Sequence, residues 1–130
     1  MSLIKTLEVF GQNYQSSVAG SNTNATAVMK TATSITTPGL TVGVYRIGWY
    51  INYSMSIITA DFQSELKVGA SQVMITRVEL SDATTVQTAS GFYYLTESTG
   101  GTVYTINLNF AAESGTATVN VSGLEFWRAS

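Results

Sequence analysis

Two segments of the chain alternate regularly along their length, in the way that an extended strand presents its side chains. In 103–110, Tyr104, Ile106, Leu108 and Phe110 occupy one face, and the positions between them are mostly polar. In 62–68, one face carries Phe62, Ser64, Leu66 and Val68, and the other face carries three polar or charged residues. Successive side chains of a strand point to opposite faces, so this period of two predicts half-buried β-strands.

Similar segments, separated by turn-forming residues, follow one another along most of the chain. Further strands are predicted near 28–36, 42–53, 73–80, 84–89, 91–95 and 117–128. The turn signals between the strands are Pro38-Gly39, Gly69, Ser81-Asp82, Gly100-Gly101 and Ser114-Gly115. No long stretch carries hydrophobic residues at helical spacing. The pattern therefore predicts an all-β protein, a sandwich or jelly roll of about eight strands.

The segment 42–53 is hydrophobic on both faces. Its odd positions, Tyr45 to Tyr53, form one face, and Val44 and Tyr50 lie on the other. A strand of this kind is either central between two layers or part of an oligomer interface.

The last strand, 117–128, changes its pattern partway along. Val119 and Val121 share one face, whereas Leu124 and Phe126 fall on the other. The change of parity predicts a bulge or bend at Ser122-Gly123.

The first 26 residues differ in composition from the rest. Residues 11–26 consist almost wholly of small and polar residues, and Tyr14 is their only large apolar group. Such composition predicts a linker or exposed arm. The hydrophobic residues before it form a predicted anchor: Leu3, Ile4, Leu7, Val9 and Phe10. We therefore expect an arm and anchor over 1–26 and a jelly-roll domain over 27–130.

Composition narrows the possible functions. Only 11% of the residues are charged, the net charge is −2, and the chain has neither histidine nor cysteine. These counts remove Ser-His-Asp and thiolate catalysis, Cys-based metal sites and a basic nucleic-acid surface. We expect no enzyme, no metal or other cofactor, no nucleic-acid partner and no membrane insertion. Asp61 and Glu65 would stand about 13 Å apart on a strand, which is too far for the two carboxylates to bind one metal ion together. We therefore expect them to be solvated surface charges.

Aromatic residues cluster in three segments and are the main candidates for an interaction site. Consecutive Phe92, Tyr93 and Tyr94 must place at least one ring on each face of a strand, so they are a predicted ligand patch. Core packing and a subunit interface are the main interpretation of the aromatic residues, because aromatic side chains dominate both. A sugar-stacking surface is the alternative.

Several short motifs resemble, in their order along the chain, those of small structural proteins of tailed bacteriophages. The motifs are Thr36-Thr37-Pro38-Gly39-Leu40, Gly43-Val44-Tyr45-Arg46-Ile47-Gly48-Trp49, Ala60-Asp61-Phe62-Gln63-Ser64-Glu65-Leu66, Ser90-Gly91-Phe92-Tyr93-Tyr94 and Leu124-Glu125-Phe126-Trp127-Arg128. These proteins are similar to the jelly roll of complement globular heads and tumour necrosis factor, which is typically trimeric. The resemblance covers about residues 30–130 and brings no catalytic residues.

The resemblance implies a homotrimeric virion protein, a capsid decoration or head-fibre protein that contacts other virion proteins. The apolar two-sided strand and the aromatic C-terminus predict the trimer interface at Val44, Tyr50, Phe126 and Trp127. The alternative is a tail-associated receptor-binding tip that holds a host glycan on Phe92, Tyr93 and Tyr94. Both alternatives use the same fold, which does not decide between them.

Overall fold

The computed structural model describes residues 13–79 and 85–130, which form eight β-strands. The strands are β1 (Asn13–Asn24), β2 (Lys30–Thr36), β3 (Gly43–Met55), β4 (Asp61–Val68), β5 (Ser71–Glu79), β6 (Gln87–Glu97), β7 (Thr105–Ala112) and β8 (Ala117–Arg128). No helix capable of crossing a membrane occurs in these ranges.

The strands form two four-stranded antiparallel sheets packed face to face. The first sheet has the order β1-β8-β3-β6, and the second has the order β2-β7-β4-β5. Most neighbouring strands are distant in sequence, so the chain passes repeatedly from one sheet to the other. This arrangement is a jelly roll, and it confirms the predicted all-β sandwich of about eight strands.

Side chains from the inner faces of both sheets form one hydrophobic core. Tyr53 of β3 stacks on Phe62 of β4, with ring centroids 3.8 Å apart and planes 6° from parallel. Phe62 continues the stack toward Phe110 of β7 at 6.4 Å. The predicted inner faces of β3, β4 and β7 are confirmed, because their alternate positions are buried. The core therefore follows directly from the period-two patterns in the sequence.

The expectation of an arm is wrong for residues 13–24, which form strand β1. This strand pairs with β8 along its whole length, from Asn13 opposite Trp127 to Asn24 opposite Ala117. Its pairing relies on backbone hydrogen bonds, which polar residues make as well as apolar ones. Asn24 fixes the following turn, because its side-chain amide donates to the carbonyl of Val28 at 2.8 Å and its Oδ1 accepts from the backbone N–H of Thr26 at 3.0 Å. The predicted anchor residues, Leu3 to Phe10, lie outside the described residues.

The predicted irregularity in β8 is present, but it lies closer to the N-terminus than expected. Opposite β3 the register shifts as Asn52 pairs with Val121 and Tyr53 pairs with Val119. The extra residue is Asn120, so Val119 points into the core while Val121 turns outward. The prediction that these two valines share a face is therefore wrong, since the bulge separates them.

The two strands predicted at 84–89 and 91–95 are a single strand, β6. Ser90-Gly91 does not form a turn, and β6 pairs with β3 without a register shift. A Cβ atom added at Gly91 would stand only 3.0–3.1 Å from the indole of Trp49. Glycine at this position therefore lets the backbone pass close to a core side chain. The predicted Ser81-Asp82 turn lies outside the described residues.

Candidate interaction surface

The outer face of the first sheet carries a cluster of aromatic rings around one arginine. Arg46 of β3 lies directly opposite Trp127 of β8 on one side and Tyr94 of β6 on the other. Its guanidinium carbon is 4.4 Å from the ring centroid of Phe92 and 4.7 Å from that of Trp127. We refer to Arg46, Phe92, Tyr94 and Trp127 as the aromatic patch.

The arginine holds the patch together by cation–π contacts with two strands. A guanidinium within about 6 Å of a ring centroid is attracted to the ring face. The Nε atom of Arg46 is buried and has no hydrogen-bond partner among the described residues. The two rings thus replace water around part of the guanidinium, and a desolvated cation interacts more strongly with them.

The exposed rings of the patch belong to the edge strand β6. Phe92 is 51% exposed and Tyr94 is 52% exposed. Their centroids are 5.7 Å apart with an interplanar angle of 78°, so one ring meets the other edge-on. Two large exposed rings side by side make this face a candidate interaction surface.

Glycines shape the surface beside the patch. Gly48 of β3 lies between Glu125 and Phe92 in the sheet, and it places no side chain between theirs. Further along, a Cβ atom at Gly123 would overlap the ring of Tyr50. Tyr50 therefore lies flat on β8 and extends the aromatic surface away from Arg46.

The opposite end of the same face is polar. The side-chain amide of Asn52 donates to Thr88 Oγ1 at 3.0 Å, and the amide of Asn120 donates to Asn52 Oδ1 at 3.1 Å. This chain joins β8, β3 and β6. The outer face thus changes from aromatic at one end to amide and hydroxyl at the other.

The structure brings together most of the residues predicted for the two separate sites. Tyr50, Trp127, Phe92 and Tyr94 all lie on this one face. Val44 also lies on it, and the backbone N–H of Val44 donates to the carbonyl of Ser130 at 3.1 Å. The predicted trimer interface and the predicted ligand patch are therefore neighbouring parts of the same surface.

Two predicted site residues point into the sandwich instead. Phe126 is fully buried and stacks on Tyr45, with centroids 5.3 Å apart, so its predicted place in a surface interface is wrong. Tyr93 is half-buried and packs against the core from the edge of the sheet. Both follow from strand alternation, because their neighbours Trp127, Phe92 and Tyr94 occupy the outer face.

Arg46 is the member of the patch that sequence analysis missed. The signal was its parity, since it is an even position of 42–53, like Val44 and Tyr50. Its partners on β6 and β8 could not be identified from that parity, because the strand register was not known.

The outer face of the second sheet contains a buried polar network in place of rings. The carboxylate of Glu65 accepts hydrogen bonds from the amides of Asn109 and Gln72, both at 2.8 Å. Asn109 in turn accepts from Thr31 Oγ1 at 2.9 Å. Glu65 is 8% exposed, so the expectation of a solvated charge is wrong for this residue. Neighbouring amide side chains cover it on both flanking strands.

A second buried carboxylate closes the β6–β7 loop. Glu97 accepts from the backbone N–H of Thr102 at 3.2 Å and from Thr99 Oγ1 at 3.4 Å. The hydrogen bond from the side chain of Thr102, helped by the other bonds in the loop, holds the pKa of Glu97 below its ordinary value. Within 13–79 and 85–130, no group of three or more acidic side chains could hold a metal ion.

The strand order of the two sheets defines the class of fold, a jelly-roll β-sandwich. No family model matches the chain, and no curated protein matches it. Its structure is similar to VP2 of infectious bursal disease virus in derived T=1 particles, with TM-score 0.61 and 9% identity over 97% of this chain. It is also similar to VP2 in a subviral particle, with TM-score 0.60 and 11% identity over 90% of this chain.

A mutant VP2 of the same virus gives TM-score 0.62 at 10% identity, again over 90% of this chain. The chain spans about a third of the length of these VP2 chains, 32% to 34%. Identities this low establish a shared sandwich architecture and carry no residue roles from VP2 to this protein.

Proposed function

We propose that this chain is a virion structural protein, a homotrimeric capsid decoration or head-fibre protein of a tailed bacteriophage displayed on the particle surface. The observation that carries the proposal is the β1-β8-β3-β6 and β2-β7-β4-β5 strand order, which the chain shares in architecture with viral capsid proteins. The sequence resemblance to phage structural proteins supports the same role and supplies the bacteriophage assignment.

The outer face of the first sheet supports assembly into oligomers. It presents Tyr50 and Trp127 beside Val44, and the charged residues between them are Arg46 and Glu125. Interfaces are enriched in aromatic residues and arginine and depleted of other charges at their centre. Val44, Tyr50 and Trp127 therefore remain the proposed trimer contacts, while Phe126 supports them from the core.

The trimer is tested by sedimentation of the purified full chain at micromolar concentration. We expect a trimer, and the double variant Tyr50→Ala/Trp127→Ala should dissociate it, because buried aromatic anchors cost more than about 2 kcal/mol when truncated. Ile75→Ala, an exposed apolar position on the other sheet, is the matched control and should leave the trimer unchanged. A monomeric wild-type chain would contradict this part of the proposal.

The virion role is tested by locating the protein on particles by electron microscopy and by adding purified chain to particles that lack it. We expect stoichiometric binding to the shell. The proposed anchor is tested by deleting residues 1–12, because a longer deletion would remove β1 from its sheet. The shortened chain should fold and no longer bind particles. Normal binding would show that the anchor has no such role.

A tail-associated, glycan-binding tip is the second candidate function, and the exposed rings of Phe92 and Tyr94 favour it. Sugar rings stack on exposed aromatic faces, with amide or hydroxyl groups nearby to bond their hydroxyls. Glycan-array binding that is lost in Tyr94→Ala would establish this function. Tyr93→Ala is unsuitable for the test, since Tyr93 packs against the core.

A further inference from the structure

The four edge strands of the sandwich differ in how well they are protected against pairing with another chain. Natural sheets protect their edges with charged side chains, proline or bulges, because an open edge offers unpaired N–H and C=O groups. The edges here are β1 and β6 in the first sheet and β2 and β5 in the second.

Three of these edges carry such protection. The pairing of β1 with β8 shifts register between Ala19 and Asn22. Strand β2 begins with Lys30 and shifts register after Thr31. Strand β5 carries Arg77 and Glu79, and its pairing with β4 also shifts register.

Strand β6 has none of these features. It pairs with β3 in unbroken register over eleven residues, from Gln87 opposite Tyr53 to Glu97 opposite Gly43. It has no proline, and its only charged residue is Glu97, which is at its very end and 3% exposed. Among the described residues, no strand pairs with its outer edge. This long edge carries no exposed charge and is open among the described residues.

The side chains on β6 complement a second copy of the same strand. Antiparallel pairing about a two-fold axis at Tyr93 places Phe92 opposite the partner's Tyr94, and Tyr94 opposite the partner's Phe92. Aromatic pairs directly opposite one another stabilise antiparallel strands. The same axis brings Tyr93, half-buried at the open edge, against the partner's Tyr93. No like charges meet, since the strand has no exposed charge.

We propose that two copies of this chain join edge to edge through β6, in register about Tyr93, to form a continuous eight-stranded sheet with the order β1-β8-β3-β6-β6-β3-β8-β1. The aromatic patches of both copies then merge across the seam, with Arg46 stacked behind each Phe92. This two-fold contact uses the edge of the sheet, whereas the proposed trimer uses its outer face. It does not rest on a virion role.

Disulfide trapping tests both the contact and its register, and the chain has no cysteine of its own. The proposed axis places Ser90 opposite the partner's Thr96, and both side chains are exposed. Full-length Ser90→Cys mixed with full-length Thr96→Cys should therefore form a covalent dimer under mild oxidation. Each variant alone should not, because the equivalent residues of the two copies would be roughly 20 Å apart. Ser17→Cys mixed with Thr96→Cys measures chance collisions.

Sedimentation of Tyr94→Lys in the Tyr50→Ala/Trp127→Ala background, where the proposed trimer contacts are removed, tests the same contact without a crosslink. The variant places two ammonium groups diagonally across the seam, so we expect association to weaken on the order of tenfold or more. Ser17→Lys, on the bulged edge β1 and in the same background, should leave association unchanged. Equal trapping in the single variants and the mixture would overturn the register. No mixed dimer, together with association unaffected by Tyr94→Lys, would overturn the pairing itself.

Discussion

The ring of Tyr50 lies directly on Gly123 of the neighbouring strand, in the space that any larger residue at 123 would need. Gly123→Ala should therefore force the ring off β8 and destabilise the fold by roughly 1–3 kcal/mol, as overpacking does. Urea denaturation measures the loss.

Two variants show whether the cost comes from this contact. Gly48→Ala, on the same face of the sheet, meets no atom closer than 3.6 Å and should be nearly neutral. Combining Gly123→Ala with Tyr50→Ala should cost less than the sum of the two single changes. Simple additivity would show that the ring is not the obstacle.

The two phenylalanines Phe62 and Phe92 should respond very differently to truncation. Phe62 is fully buried and stacks between Tyr53 and Phe110, so Phe62→Ala should cost about 3–5 kcal/mol. Phe92 is half exposed, and Phe92→Ala should cost less than about 1 kcal/mol in dilute monomer. Thermal denaturation of the two variants gives the comparison. Similar losses would mean that the aromatic patch stabilises the fold of the single chain.

The sequence predicted β4 and β7 well because their large hydrophobic side chains lie on one face. Ile106, Leu108 and Phe110 follow a period of two that matches their burial in β7. Strand β1 was missed because its sequence carries few hydrophobic residues, and Asn24 is the one buried residue among its described side chains. A strand held by backbone pairing leaves no hydrophobic period in the sequence.

The interaction surface could be predicted only in part, for a related reason. Alternation placed Phe92 and Tyr94 on one face of β6 and Trp127 on one face of β8. It could not show that Arg46 lies between them, because that contact depends on how β3 pairs with both strands. The bulge at Asn120 also reverses the faces of the residues before it relative to those after it, so Val119 points into the core while Val121 points outward.

Acid should weaken the β6–β7 loop through Glu97. The pKa of Glu97 is lowered in the folded chain from its ordinary value of 4.5, chiefly by the hydrogen bond from the Thr102 side chain. A carboxyl group with a lowered folded pKa stabilises the fold above its unfolded pKa, and that contribution is lost as the pH falls through the folded value. The melting temperature should therefore fall below about pH 4.5.

Two variants, Glu97→Gln and Glu79→Gln, test whether Glu97 causes this loss of stability in acid. The first removes the ionisable group, so it should be less stable than wild type at pH 7 and lose less stability on acidification. The second changes an exposed carboxyl group on β5 and should keep the wild-type acid response. If Glu97→Gln and wild type lose the same stability on acidification, Glu97 is not the group responsible.

The buried network around Glu65 should respond sharply to a single added charge. Asn109 donates its amide to the carboxylate of Glu65 at 2.8 Å, and Asn109 is itself only 7% exposed. Asn109→Asp keeps the shape, removes the donor and places a second carboxylate against the first. Breaking a buried charged hydrogen bond and adding a like charge should cost about 3–5 kcal/mol at pH 7.

Protonation of either carboxyl group relieves the repulsion, so Asn109→Asp should lose less stability relative to wild type at pH 4 than at pH 7. Glu65→Gln added to Asn109→Asp should restore much of the loss at pH 7, because the new amide donates to the new carboxylate. Urea denaturation of wild type, Glu65→Gln, Asn109→Asp and the double variant at both pH values gives the full double-mutant cycle. An Asn109→Asp penalty that is independent of pH would assign the cost to packing in the sheet and not to charge.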